Sequence, residues 1–342
     1  MVGKRRWLLL TSFGLVIFLA YLIWSNPFQI LLEVGRFNAV VFLSAVLIDY
    51  VSLFLFALSW YLLLKVLGMK VGAWEAAQVT FVSLFAVWMI PIPVGAEIVR
   101  AYLVRGEGNS GLGRSIASVV VHKAYYNLAF GAFIAVGALM VTLKHNGPIP
   151  VRPELVWFVV AFAAVSSAIF ALILSPRLLR AVYERSPDWV RRRFFDRLGD
   201  PRMGEGGFPT VVEEIDSAVK ALKSKPFYNL LSLLMVAFHW STGSLTAYMV
   251  ALSLGWRIDF WVVVLIYAVV EFIQQLNMII PSGLGVVDAG LTGAFVLAGV
   301  PLSTASAISL LTRLATYWLE LVLCASVGLR YGYRESLREY LK

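Results

Sequence analysis

Six apolar stretches run through this chain at 7–24, 37–64, 115–142, 155–174, 226–252 and 303–328. Each is on the order of the 20 residues a helix needs to cross a bilayer. Backbone in hydrocarbon must satisfy its own hydrogen bonds, so such stretches have to be helical. The composition agrees: 60% of the residues are hydrophobic and 14% charged, too apolar for a soluble domain. The fold class expected is an all-α polytopic membrane protein, with residues 1–342 forming a single integral domain. The N-terminal run follows "KRRW" as a signal peptide would. It is long for one and lacks a small-x-small cleavage site, so it reads as a retained first helix.

Two further apolar regions, 71–104 and 258–299, break at Pro and Gly and resume too briefly to span comfortably. They are expected to be re-entrant helical hairpins, whose irregular tips are tolerated where protein or a wet cavity satisfies them. Lys/Arg placement supports this arrangement. With the N-terminus in the cytoplasm, 23 of the 29 basic residues fall inside and 4 outside, while Lys123 and Arg313 lie within spans. A single crossing at 71–104 would move Arg100, Arg105 and Arg114 outside and violate the positive-inside rule. Both termini are then cytoplasmic, the tail being 329–342, and the membrane expected is the plasma membrane.

The net charge of +9 therefore belongs to cytoplasmic loops and lipid head groups, and no nucleic-acid partner is expected. The long polar linker, 175–225, mixes arginines with Trp189, Phe194 and Phe195. Its stretch 176–225 is expected to lie on anionic inner-leaflet lipids and act as a solvated connector. Within it, "TVVEEIDSAVKALKSK" reads as a short amphipathic helix. The single cysteine, Cys324, permits no intramolecular disulfide, and three histidines without ligand spacing argue against a metal centre. No cofactor is expected. No HExxH, DxD or GxSxG motif is present, so the chain is not expected to be an enzyme.

The chain also repeats itself. "LGMKVGAW" (67–74) aligns without gaps to "LGWRIDFW" (254–261), and "PIPVGAE" (91–97) resembles "PSGLGVVD" (281–288). A cation inside an apolar helix follows each proline by 32 residues: Lys123 after Pro91, and Arg313 after Pro281. The unit is helix, hairpin, helix, at 37–142 and again at 226–328. The single crossing 155–174 between them would invert the second copy, a plan that recurs in secondary transporters.

Ionisable groups at membrane depth cost roughly 2.5–3.5 kcal/mol each on insertion scales and normally face a partner or pathway. Those here are Asp49, Glu75, Glu97, Lys123, Glu271, Asp288, Arg313 and Glu320, with Asp49 and Glu75 placed near span ends. Glu97 and Asp288 occupy the hairpin breaks beside Gly95, Gly283 and Gly285, just inside short helices expected to start at Ala96 and Val286. Open N–H groups and helix N-termini there suit an anion such as a lipid phosphate. Lys123 and Arg313 supply cations, Arg100 lies one turn beyond Glu97, and Glu97, Asp288 or Glu271 can carry a proton. The alternative is that Glu97–Lys123 and Asp288–Arg313 are structural ion pairs. His122 and His239 read as packing residues.

The break at 91–100, the Pro-x-Gly-x-Gly at 281–285 and the later Arg313 resemble the lysylphosphatidylglycerol synthase transmembrane-region family, also called flippase-like domain proteins. The resemblance extends from about 10 to 330. It departs at Asp288, where Glu is expected, and at "HKAYYN" around Lys123. It implies movement of lipids with modified or glycosylated head groups between leaflets. Some members carry an aminoacyl-transferase domain after the membrane part; this chain ends soon after its last span, so synthase activity is not implied. The function expected is translocation of an anionic phospholipid or polyprenyl-phosphate-linked (glyco)lipid. The alternatives are a membrane-embedded head-group transferase and an accessory subunit that recruits a glycosyltransferase through the linker.

Overall fold

A computed structural model describes residues 4–89, 95–108, 111–144, 174–195, 207–276 and 283–340, with isolated helical positions between 161 and 172. Every regular element among them is helical. In chain order these are α1 (Lys4–Trp24), α2 (Pro27–Val34), α3 (Ala39–Val66), α4 (Ala73–Met89), α5 (Gly95–Gly108) and α6 (Leu112–Leu143). After the linker helix α7 (Pro176–Arg185) come α8 (Gly207–Lys223), α9 (Pro226–Ser253), α10 (Phe260–Leu276), α11 (Val286–Leu297) and α12 (Leu302–Arg313). A π-helical turn, Leu314–Trp318, joins α12 to α13 (Leu319–Tyr340).

Four helices among the described residues are long and apolar enough to cross a membrane alone: Ala39–Val66, Leu112–Leu143, Pro226–Ser253 and Leu302–Gly332. A fifth crossing results if Ser12–Trp24 and Pro27–Val34 are taken as one span bent by 76°. The bend has a local cause. Asn26 takes φ 59°, and Pro27, which has no N–H, opens α2 while the Asn26 side chain accepts from Gln29 N–H. Helix α2 has no counterpart in the sequence reading. The span expected at 155–174 lies almost wholly outside the described residues, as do the hairpin tips 90–94 and 277–282.

Helix α3 shows how the solvent orders these faces. Val40, Leu43, Leu47, Val51 and Phe54 form an exposed apolar stripe at helical spacing. The opposite face buries Phe42, Ala45, Asp49, Ser52, Phe56, Ser59 and Leu63. Polar groups point inward and apolar ones outward, as they must where the surroundings are lipid. Helix contacts use small residues: Gly137 seats against Val264, and Gly243 against the Tyr267 ring.

The two halves share element lengths and caps. Helices α3 and α9 both have 28 residues, and α4 and α10 both have 17. The duplicated Leu-Gly dipeptide closes α3 and α9 in the same way. Gly68 (φ 69°) and Gly255 (φ 80°) turn left-handed, and the next residue's N–H reaches back to Leu64 and Ala251 carbonyls respectively, each at 3.0 Å. This is the glycine-terminated cap that satisfies a helix's last carbonyls. Packing between the halves is reciprocal. The two leading helices α3 and α9 pack on each other, α10 packs on α6, and α4 packs on α13. Within each half α4 packs on α5 and α10 on α11, the pairing a hairpin requires.

The linker departs from expectation. Helix α8 is amphipathic, but its apolar face (Phe208, Val211, Val212, Ile215, Ala218, Leu222) is buried rather than solvated. It seats against the start of α6, where the Glu214 carboxylate accepts from Gly113 N–H at 2.6 Å. A Cβ at residue 113 would meet the Val211 carbonyl at 2.4 Å, so only glycine allows this approach. Helix α7 has no buried residue and exposes Leu178 and Val182.

Candidate functional site

Helix α11 begins immediately after a left-handed turn through Gly283 (φ 60°) and Gly285 (φ 80°). Gly285 lies so close to α1 that a Cβ there would meet Phe18 N at 2.6 Å. Asp288, in the first turn of α11, spends one carboxylate oxygen on this turn: Oδ2 accepts Gly285 N–H at 3.0 Å. That N–H is therefore taken rather than open to a ligand, which corrects the expectation for this glycine. The other oxygen, Oδ1, lies 3.5 Å from Arg313 Nε, with both side chains at most 5% exposed. Ser309 Oγ donates to the Asp288 carbonyl at 2.9 Å, tying α12 to α11. The Arg313 guanidinium lies 4.2 Å from the centroid of the Tyr317 ring, one turn on.

The first half carries the same device. Glu97, in the first turn of α5, pairs with Lys123 of α6 at 3.2 Å, and Lys123 lies 4.6 Å from the Tyr126 ring centroid. This pair is wetter, at 20% and 30% exposure. Helix α5 starts at Gly95, one residue before the expected Ala96. The two ion pairs read from spacing are thus formed in the structure. Glu271 lies on α10, but its side chain is outside the described residues.

Arg100, expected on the cytoplasmic side and at the site beside Glu97, is buried, at 5% exposed. It donates to Ser83 Oγ at 3.3 Å and to His122 Nδ1 at 3.1 Å, over the rings of Trp60 and Phe56. This network assigns the histidine's state. Nδ1 accepts from a guanidinium, so it bears no proton. Nε2–H then donates to Ser59 Oγ at 2.7 Å, and the Ser59 O–H donates to the Phe56 carbonyl at 2.6 Å. His122 is neutral. Phe56 lies between His122 and His239 at 4.7 and 4.6 Å, and His239 Nδ1 meets Ser52 Oγ at 2.7 Å.

Beside these groups lies a cavity of about 170 Å³, far above the 10–15 Å³ one water needs. Arg313, Tyr317, His239, Tyr126, Asp49 and Glu320 contribute to its wall. The π-helical turn Leu314–Trp318 forms part of the same wall, a feature often found at functional sites. Among the wall residues, Asp49 Oδ2, Thr312 Oγ1 and Trp240 Nε1 are buried polar atoms without a hydrogen-bond partner. Orphaned buried groups of this kind are rare and costly, and ask for a ligand or water.

Of the residues singled out from sequence for the site, Arg313 lies in this wall; Lys123 adjoins it through Tyr126. Glu97 and Asp288 are not among the wall residues but pair with Lys123 and Arg313, and Gly283 and Gly285 form the turn before α11. Asp49 and Glu320 were recognised as intramembrane charges but not placed at the site. The available signal was position: Asp49 sits deep inside the 28-residue helix α3, not near its end. Trp240 and Thr312 carry no signal in sequence, because ordinary membrane packing uses the same residue types.

The fold and this buried polar interior define a polytopic, all-helical membrane protein. Residues 11–324 match the family described as the lysylphosphatidylglycerol synthase TM region, and the chain belongs to that family. It is similar to the UPF0104 membrane protein PH1989 of Pyrococcus horikoshii, at 21% identity over 92% of this chain and 94% of that one. A UPF0104 membrane protein of Methanothermobacter thermautotrophicus is also 21% identical, over 96% of both chains.

Proposed function

We propose that this chain moves an anionic lipid, either a phospholipid or a polyprenyl-phosphate-linked (glyco)lipid, between membrane leaflets. The observation that carries the reading is the cavity: a buried arginine beside an unpartnered indole N–H and an unpartnered threonine hydroxyl. That donor set suits a phosphate, which offers only acceptors at neutral pH. The head group enters this space while the acyl or prenyl tails remain in the bilayer. Arg313, Trp240 Nε1 and Thr312 Oγ1 hold the phosphate. Glu97 and Asp288 keep the two cations in place when the site is empty and release them to the substrate.

The frame we propose is an inverted repeat. Hairpins α4–α5 and α10–α11 re-enter from opposite faces, related by a two-fold axis in the membrane plane. Matched helix lengths, matched caps and reciprocal packing support it. Both termini lie in the cytoplasm of a plasma-membrane protein, with α7 resting on the anionic inner leaflet through Leu178 and Val182. The activity is transport and not catalysis.

The test uses proteoliposomes carrying fluorescent anionic phospholipid or polyprenyl-phosphate probes and an impermeant quencher. Wild-type protein should speed leaflet exchange of one probe class over protein-free vesicles. The paired variant Asp288→Asn/Arg313→Gln, which removes both members of the ion pair, should return it to the protein-free rate. Wild-type protein that accelerates neither probe contradicts the proposal.

A further inference from the structure

Arg100 carries a full positive charge into the interior of the first half. Among the described residues no carboxylate lies within ion-pair distance of it. Its hydrogen bonds go to neutral acceptors. Ser83 Oγ takes Arg100 Nε–H at 3.3 Å and sends its own proton to the Thr80 carbonyl at 2.7 Å. His122 Nδ1 takes one Nη1–H at 3.1 Å and bears no proton. A guanidinium has five N–H groups. The remaining three, two of them on Nη2, meet no acceptor among the described residues.

The charge nearby does not balance. Glu97 stands one turn before Arg100 on α5, but it is engaged by Lys123 at 3.2 Å. Arg100 and Lys123 thus share one carboxylate. The second half builds its brace without an added cation: the residue three beyond Asp288 is Leu291, buried and apolar, where Arg100 stands three beyond Glu97. The brace therefore does not require Arg100. A buried charge without a counter-ion is costly, and such groups are normally paired.

The fold also fixes the guanidinium in one orientation. Helix α4 holds it through Ser83 and α6 through His122. Helix α3 lays Trp60 and Phe56 against it, with ring centroids 5.0 and 5.6 Å from the guanidinium carbon. Phe56 belongs to the cavity wall as well. Arg100 is thus one aromatic ring away from the cavity.

We infer that Arg100 is a second anion site, separate from Arg313, and that its ligand is a phosphate group. A planar guanidinium matches the paired oxygens of phosphate, the oxyanion that lipid head groups carry. The site stands on Arg100 and its neighbours. Only its place in translocation rests on the reading above: there Phe56 separates two successive positions of one head group.

Calorimetric titration of the full chain in detergent tests the site. The probes are dioctanoyl phosphatidic acid and inorganic phosphate, with dioctanoylglycerol as the uncharged control. Arg100→Gln should weaken one binding event by roughly tenfold or more, the loss expected when charged hydrogen bonds to phosphate go. Arg100→Lys keeps the charge but not the fork, and should bind at intermediate strength; it also serves where Arg100→Gln does not fold. Equal binding of both probes at Arg100 assigns the site to the free anion, and binding of phosphatidic acid alone assigns it to a lipid head group; either supports it. Wild-type affinity in the folded Arg100 variants, or wild-type protein that binds neither probe, overturns it. Asp288→Asn/Arg313→Gln separates the two sites. Arg100-dependent binding that persists in this variant, with no leaflet exchange by the wild type, keeps the site and removes the transport reading. Exchange by the wild type, with Arg100 variants binding normally, does the opposite.

Discussion

Asp288 and Arg313 face each other at 3.5 Å, both nearly sealed from solvent, and Glu97 and Lys123 repeat the arrangement at 3.2 Å. In each half a carboxylate in the first turn of a short helix holds a cation on the next helix over an aromatic ring.

Removing one member of the tighter pair should be costly. Asp288→Asn takes from the buried Arg313 guanidinium the carboxylate charge that faces it and leaves Gly285 N–H a neutral acceptor at most. Loss of one partner of a buried pair typically costs about 3–5 kcal/mol. Thermal unfolding in detergent should show this variant well below wild type. Asp288→Asn/Arg313→Gln should recover much of the loss, and equal melting of the single and double variants would show that the pair is not coupled.

The left-handed turns should respond unequally to alanine. At Gly68 a Cβ meets nothing within 4 Å, so Gly68→Ala costs only the left-handed backbone penalty, roughly 1–2 kcal/mol. At Gly285 the same penalty is joined by a clash with the Phe18 backbone. Gly285→Ala should therefore melt lower than Gly68→Ala and separate α1 from α11. Cysteine cross-linking between those helices, weakened in Gly285→Ala alone, reads that separation.

The docked linker helix depends on one carboxylate. Glu214→Ala leaves Gly113 N–H without its acceptor, which costs about 1–3 kcal/mol where the group is buried. Amide exchange across 207–223 should accelerate, while α3 and α9 keep their protection. Unchanged exchange in 207–223 would mean that the apolar face of α8 suffices.

At the loop before α10, burial acts to raise the Asp259 carboxyl, but the Lys144 hydrogen bond and Trp261 N–H outweigh it and hold the group below its usual range. A lowered folded-state value means the stabilisation is present above the unfolded value of about 3.9 and is lost as pH falls through the folded one. The pair is partly exposed, so it contributes about 0.2–1 kcal/mol. Asp259→Asn should lower melting slightly at neutral pH and by less as the medium approaches pH 3.

Much of this architecture is legible in the sequence because the bilayer restricts the choices. The helix start at Val286, the start at Gly95 to within one residue of the expected Ala96, and the pairs Glu97–Lys123 and Asp288–Arg313 follow from Pro/Gly breaks and costly charges. The cavity is not legible. Asp49 and Glu320 lie far apart in the chain and reach one cavity wall only through tertiary packing. Arg100 reads both as an inside cation and as a site residue beside Glu97; its burial over Trp60 and Phe56 is not legible, because the positive-inside pattern carries no information on which side chains turn inward. The burial of α8 escapes too, since an amphipathic face fits a membrane surface and a protein surface equally well.

The most direct test of the cavity as the lipid's phosphate site uses Thr312→Val and Trp240→Phe. Each removes an unpartnered donor and leaves no buried charge behind. Thr312→Val keeps the side chain's shape and should melt at or above wild type, whereas Trp240→Phe also loses ring packing on Tyr126 and Phe130 and should melt lower but still fold. Losing one donor to a phosphate, worth about 1.5–3 kcal/mol, should slow leaflet exchange in proteoliposomes by roughly tenfold or more. Wild-type exchange in both variants, with the protein folded, would contradict the account.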